Sequence, residues 1–222
     1  MYNIVCLKYG TKYNADHVNA LCNGVKKNTS ILHRFICFTD DATDVECETM
    51  SIPSNEIGWW GKLSLFKKSL DNIDGIILFI DLDMHINKSI DKYLTIGDKN
   101  TLYVMRDFRW KTEYSSAIMR FPVGKYSNIW EYYISIKDKL FGIKTGDQNI
   151  INIIYNNNIK SNKSLAIEHL KPLSKQTDNI KFWPDKWQED VKVFQKRIIK
   201  SSDAKIIVGY GSSNIFDLKW FK

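Results

Sequence analysis

Asp81 and Asp83 are the residues whose type and spacing most plainly suit chemistry. They follow five apolar residues, Ile76-Ile77-Leu78-Phe79-Ile80, with Gly75 just ahead. A run of that length reads as a buried strand. If the strand carries on through Asp83, both carboxylates point to one face, because strand side chains repeat every two residues. An apolar strand that ends in two acids needs a compensating cation. Two hard oxygen ligands suit Mn²⁺, or Mg²⁺, carrying phosphate groups. Acid-x-acid tripeptides are also common at turns, so the surrounding elements must decide.

Those elements alternate. Residues 2–8 are apolar and β-branched, with a turn at Gly10-Thr11. Asn14 is a plausible N-cap for a helix over 15–27, where Val18, Leu21, Cys22 and Val25 fall at helical spacing. Phe35 to Phe38 reads as a second strand, closed by Thr39-Asp40-Asp41, and a short acidic strand is expected near 45–49. Residues 61–69 read as a helix with Leu63 and Phe66 on one face. In the second half, Leu102 to Met105 and Ser116 to Phe121 read as strands, and 126–140 and 146–156 as helices. Residues 160–190 read as loops and short pieces, and Ile206-Ile207-Val208 as a last strand. This alternation implies an α/β fold with a mostly parallel sheet flanked by helices. Ligands of such sheets bind outside the carboxyl ends of the strands. Lys8-Tyr9, Thr39-Asp40 and Asp81-Leu82-Asp83 lie at such ends.

The bulk properties narrow the class. The chain has 222 residues, 44% of them hydrophobic, enough to bury one sizeable core, so a single domain over 1–222 is expected. A charged fraction of 26% with 13% aromatic residues excludes a disordered or fibrous chain. No apolar run approaches the roughly 18 residues of a membrane span. The opening residues carry no leader pattern, so a cytoplasmic protein is expected. Cys6, Cys22, Cys37 and Cys47 sit at unrelated spacings without a CxxC pair, which argues against a zinc site and for small core side chains. The net charge is +7, but the lysines are scattered, so nucleic acid is not the expected partner. A modest positive field still favours capture of an anionic ligand.

At this point an ordered set of segments resembles small glycosyltransferases of the GT-A fold, closest to glycogenin-like and bacterial or large-virus members. Val5 to Tyr13 looks like their first strand and turn, and Phe38-Thr39-Asp40 is similar to their "FTD" strand end. Gly58-Trp59-Trp60-Gly61-Lys62-Leu63-Ser64-Leu65-Phe66 resembles a GWWxKLxLF segment, and Asp81-Leu82-Asp83 their DxD motif. Tyr114-Ser115-Ser116-Ala117-Ile118-Met119 looks like an "NSxxM" strand with Ser115 in place of Asn, and Gly146-Asp147-Gln148 is similar to GDQ.

The resemblance implies transfer of a sugar from a nucleoside diphosphate sugar, UDP-linked by expectation, to a hydroxyl of a glycan, protein or lipid-linked acceptor. It implies a nucleotide-binding half over 1–100 and an acceptor-side half over 101–222. Lys8, Tyr9, Tyr13 and Asp40 would hold the nucleoside, while Asp81 and Asp83 hold the metal, with Leu82 between them. Lys62 would meet the sugar–diphosphate bond, with Trp60, Ser115 and Ser116 on the donor side. Asp147 would act as base if the reaction inverts, and Gln148 would face the anomeric carbon if it retains.

One motif departs from the family's pattern. Members commonly close with HxGxxKP, whose His is a third metal ligand, whereas this chain reads Val208-Gly209-Tyr210-Gly211-Ser212-Ser213-Asn214. Tyr is a poor ligand at neutral pH because its pKa is near 10. Either water fills that position, or Gly211 and Ser212 present N–H and hydroxyl groups to the diphosphate. None of His17, His33, His85 and His169 is assigned as a ligand. Two alternatives remain: a non-catalytic binding protein of the same fold, and a nucleotidylyltransferase, whose Gly-rich, Arg-containing loop is missing between Lys8 and Tyr13.

Overall fold

In the computed structural model, which describes residues 1–172, 180–184, 191–194 and 206–209, the strand ahead of the acid pair is the middle one of a seven-stranded sheet. In chain order the strands are β1 (Tyr2–Lys8), β2 (Arg34–Thr39), β3 (Glu48–Ser51), β4 (Ile76–Ile80), β5 (Met84–Ile86), β6 (Leu102–Arg106), β7 (Tyr114–Pro122), β8 (Ile180–Phe182), β9 (Val191–Phe194) and β10 (Ile206–Gly209). The large sheet runs β3-β2-β1-β4-β7-β6-β8. Strands β3, β2, β1 and β4 are mutually parallel, and β7 is antiparallel to both β4 and β6. Strands β5, β10 and β9 make a separate three-stranded sheet.

The parallel strands are apolar throughout because both faces of the sheet are covered. Ile4, Cys6, Leu78 and Ile80 enter one core, while Val5, Ile77 and Phe79 enter the other, as period-two alternation requires. The first core is closed by helix α1 (Ala15–Asn28), whose Val18, Leu21, Cys22 and Val25 form its buried stripe. Each such aliphatic side chain contributes roughly 1.5–3 kcal/mol on burial. Asn14 caps α1 as expected, its side chain accepting from the His17 N–H at 3.4 Å. Cys6, Cys22 and Cys37 are buried free thiols.

The second core is closed by Leu63, Leu65 and Phe66, by helix α3 (Ser127–Ile136) and by helix α4 (Asp147–Tyr155). Short helices α2 (Asp91–Thr95) and α5 (Asn162–Leu165) complete the set of α-helices among the described residues.

Several expectations need correction. The helix expected over 61–69 is a 3₁₀ helix and lies earlier, at Gly58–Phe66. With three residues per turn, Leu63 and Phe66 eclipse one another, and so do Trp59 and Lys62. The helix expected over 126–140 is α3 followed by a 3₁₀ turn at Lys137–Leu140. The acidic strand falls at Glu48–Ser51, later than 45–49.

Strand β4 stops at Ile80, so it does not carry through Asp83. The Asp81 N–H donates to the Ala117 carbonyl, and the Met84 N–H returns to the Asp81 carbonyl at 3.3 Å, which closes a turn. Burial still alternates from Asp81 to Ile86, with both acids half-buried and Leu82 inside. Gly75 opens β4 at φ +85°, where a side chain would collide with the Met1 carbonyl oxygen.

Candidate functional site

Lys62, on the 3₁₀ helix, is where the carboxyl end of β4 meets the start of α4. Its Nζ is 2.8 Å from Asp81 Oδ1 and 3.1 Å from Asp147 Oδ2. It also donates to Ser116 Oγ at 3.3 Å and lies 4.9 Å from the Phe79 ring centroid. Lys62 and Asp147 are each only 6% exposed, so this is a buried charge cluster. Asp147 Oδ2 has no hydrogen-bond partner of good geometry, and its contact with Lys62 is an ion pair alone.

Burial disfavours a charged Lys62, but the carboxylates of Asp147 and Asp81 outweigh it and raise its pKa above the ordinary lysine range. Burial pushes Asp81 up to about 7; Lys62 opposes this, and the charges of Asp83 and Asp147 add to it. Burial raises Asp83 as well, against the pull of Lys62 and Lys12. Tyr13 is raised by burial and then by the charges of Asp83 and Asp81, which places its phenol in the field of the acid pair. Three acids crowd one buried ammonium, and a bound divalent cation would offset the burial and crowding that raise Asp81 and the burial that raises Asp83.

Other candidate residues serve the frame. Lys8 is 4% exposed, donates to the Asp41 carbonyl at 2.9 Å and lies 3.6 Å from Asp41 Oδ2. Asp40 Oδ2 accepts from the Gly10 N–H at 2.9 Å and so ties the end of β2 to the turn after β1. Tyr9 is half-buried beside that turn. Ser115 is buried, its Oγ accepting from the Ala117 N–H at 3.4 Å. The Leu82 side chain, expected with the donor-binding residues, is buried in the first core. Trp60 stacks on Tyr133 at 5.1 Å. Its neighbour Trp59 is 58% exposed and lies against Gly146. Tyr210, Gly211 and Ser212 lie outside the described residues.

Gln148 Nε2 donates to Asp107 Oδ2 at 3.2 Å. Asp107 is held in turn by the Arg109 and Trp110 N–H groups, both 2.8 Å from Oδ1. Asp107 was not legible as a site residue in the sequence. The one available signal is its place just beyond the end of β6. Lys12, whose charge reaches Asp83, carries no such signal in the sequence.

The fold is shared with glycosyltransferases. A galactosyltransferase, LgtC, solved with donor and acceptor sugar analogues, superposes with a TM-score of 0.60 at 11% identity over 96% of this chain and 88% of its own. A glutamine-to-glutamate active-site variant of LgtC gives 0.58 at 11% identity over 94% and 87%. GlyE of Streptococcus pneumoniae TIGR4, a glycosyltransferase, gives 0.61 at 10% identity, with 96% of this chain covering 56% of that one. No family model and no curated protein sequence matches the chain.

The donor set bears on a metal. Among the described residues, no three His, Cys, Asp or Glu side chains gather to hold an ion. An ion held by Asp81 and Asp83 alone would have two carboxylate ligands from the protein. That number fits Mg²⁺ or Mn²⁺, which commonly take one or two carboxylates and complete their shell with phosphate oxygens and water. No helix among the described residues is long and apolar enough to cross a membrane.

Proposed function

We propose that this chain transfers a sugar from a nucleoside diphosphate sugar, UDP-linked in our reading, to a hydroxyl acceptor, with a divalent cation at Asp81 and Asp83. The observation that carries this reading is the Lys62 cluster: a buried lysine bridging Asp81 and Asp147 at the carboxyl end of β4, in a glycosyltransferase fold.

Each residue has a chemical task in this reading. The cation, when bound, supplies positive charge to the departing diphosphate. Lys62 adds a second, fixed positive charge beside the breaking bond between the anomeric carbon and the phosphate oxygen. Asp147 and Gln148 face the sugar and the acceptor. If the reaction inverts, Asp147 takes the proton of the attacking hydroxyl. If it retains, Gln148 faces the anomeric carbon. The LgtC variant carries its change at an active-site glutamine, which supports giving Gln148 a place there. Tyr13, Lys8 and Asp40 would hold the nucleoside in this reading.

A second reading has its own observation. Lys62 already occupies Asp81 Oδ1, as it would in a protein that binds a sugar nucleotide without a metal or turnover. A thermal-shift panel of nucleoside diphosphate sugars, with and without Mn²⁺, separates the two. The enzyme reading expects a Mn²⁺-dependent rise with one donor and release of its sugar. Binding that ignores Mn²⁺ and releases no sugar selects the second reading.

A further inference from the structure

Helix α4 carries Asp147 and Gln148 in its first turn, yet much of its buried face is polar. Asn149, Asn152 and Asn156 are 2%, 0% and 5% exposed and fall three and four residues apart, along one side. Asn152 exchanges hydrogen bonds with the Tyr114 backbone, accepting from its N–H at 2.9 Å and donating to its carbonyl at 2.8 Å. Asn156 donates to the Thr112 carbonyl at 2.8 Å. Asn149 works at the start of the helix. Its Oδ1 accepts from the Gly146 N–H at 2.9 Å, and its Nδ2 donates to Ser164 Oγ at 2.9 Å.

Behind Ser164 stands Glu113, a buried acid to which the proposed chemistry gives no role. It is 1% exposed. Its Oε1 accepts from the N–H groups of Lys160, at 2.6 Å, and Ser161. Its Oε2 accepts from Ser161 Oγ at 2.7 Å and from Ser164 Oγ at 2.9 Å. Backbone and hydroxyl donors thus satisfy the carboxylate, and its charge orients them.

We infer that Glu113 is a positioning residue: through Ser164 and Asn149 it fixes the backbone at Gly146 and so sets where Asp147 and Gln148 point. Ile150, Ile151, Ile153 and Ile154 hold α4 against the sheet, but apolar attraction is non-directional and tolerates small rotations of a helix. A satisfied buried hydrogen-bond chain does not, because each bond demands both distance and angle. The relay spans Glu113, Ser164, Asn149 and Gly146 and ends one residue before Asp147. Its bearing on catalysis rests on the proposed function; its bearing on geometry does not.

The test is amide hydrogen exchange on the full chain carrying Ser164→Ala, which removes the relay hydroxyl and leaves Glu113 its other donors. The expected result is exchange at Gly146 and Asn149, whose N–H groups are bonded within the relay's turn, about tenfold faster than in the wild type, with 151–154 unchanged. Unchanged exchange at Gly146 and Asn149, or uniform acceleration along the chain, overturns the relay. Glu113→Gln should give the same local pattern; should that variant fail to fold, Ser164→Ala still decides.

A second arm uses hydrolysis of UDP-glucose and UDP-galactose with Mn²⁺. Ser164→Ala should lower kcat about tenfold with donor KM unchanged, as misplacement of a reacting group does. A raised KM at constant kcat overturns the placement at the reacting end. An inactive wild type counts against the proposed function, and the exchange result still decides the relay.

Discussion

Lys62 Nζ lies 2.8 Å from Asp81 Oδ1, so the acid that opens the turn after β4 already holds a cation of the protein's own. The same ammonium reaches Asp147 at 3.1 Å. The donor side and the acceptor side of the proposed site therefore share one buried charge.

Removing that charge should be costly. Lys62→Met keeps much of the side chain's volume and leaves two poorly solvated carboxylates without their partner. The expected loss is about 3 kcal/mol, the scale for breaking a buried ion pair from one side. Urea denaturation at pH 7 measures it, and a loss below about 1 kcal/mol would mean that the cluster is more open to water than the burial of Lys62 implies.

How much of this was legible beforehand depended on range. Strands β1, β2 and β4 and helix α1 fall almost where apolar runs and the Asn14 cap place them, because those signals are local. The helix at Gly58–Phe66 is legible as a helix because Leu63 and Phe66 are three apart, but that spacing suits α and 3₁₀ helices alike and does not choose between them. Strands β5, β8 and β9 are three or four residues long and owe their existence to pairing partners far along the chain. The same holds at the site. Lys62 and Asp147 stood out through the segments around them. Asp107 and Glu113 acquire meaning only once their loop folds against α4, and nothing in their neighbours' spacing announces that.

Asp107 should matter to turnover more than to stability. It accepts from Gln148 Nε2, so Asp107→Asn sets one amide against another and forces Gln148 to turn over to regain a bond. The expected stability change is within about 1 kcal/mol, the worth of one such hydrogen bond. The expected fall in kcat is about tenfold. Steady-state kinetics beside a urea titration checks both, and an unchanged kcat would remove Gln148's orientation from the account.

Glu113 predicts an acid limb. Burial raises its pKa, but the hydrogen bonds from Ser161, Lys160 and Ser164 outweigh this and hold it below the usual glutamate range. An acid with a depressed native pKa stabilises the fold fully above its unfolded value, near 4.3. That contribution disappears as pH falls through the lower native value. Between about pH 5 and pH 3 the urea midpoint should therefore drop more steeply for the wild type than for Glu113→Gln. Parallel curves would show that Glu113 is not held as an ion.

The most direct test of the central claim is release of UDP from nucleoside diphosphate sugars by the wild type and by Asp83→Ala, with Mn²⁺ and with EDTA. The account predicts Mn²⁺-dependent release from one donor, abolished by EDTA and reduced at least about a hundredfold in Asp83→Ala. Equal release by Asp83→Ala, release that ignores EDTA, or no release from any donor would contradict it.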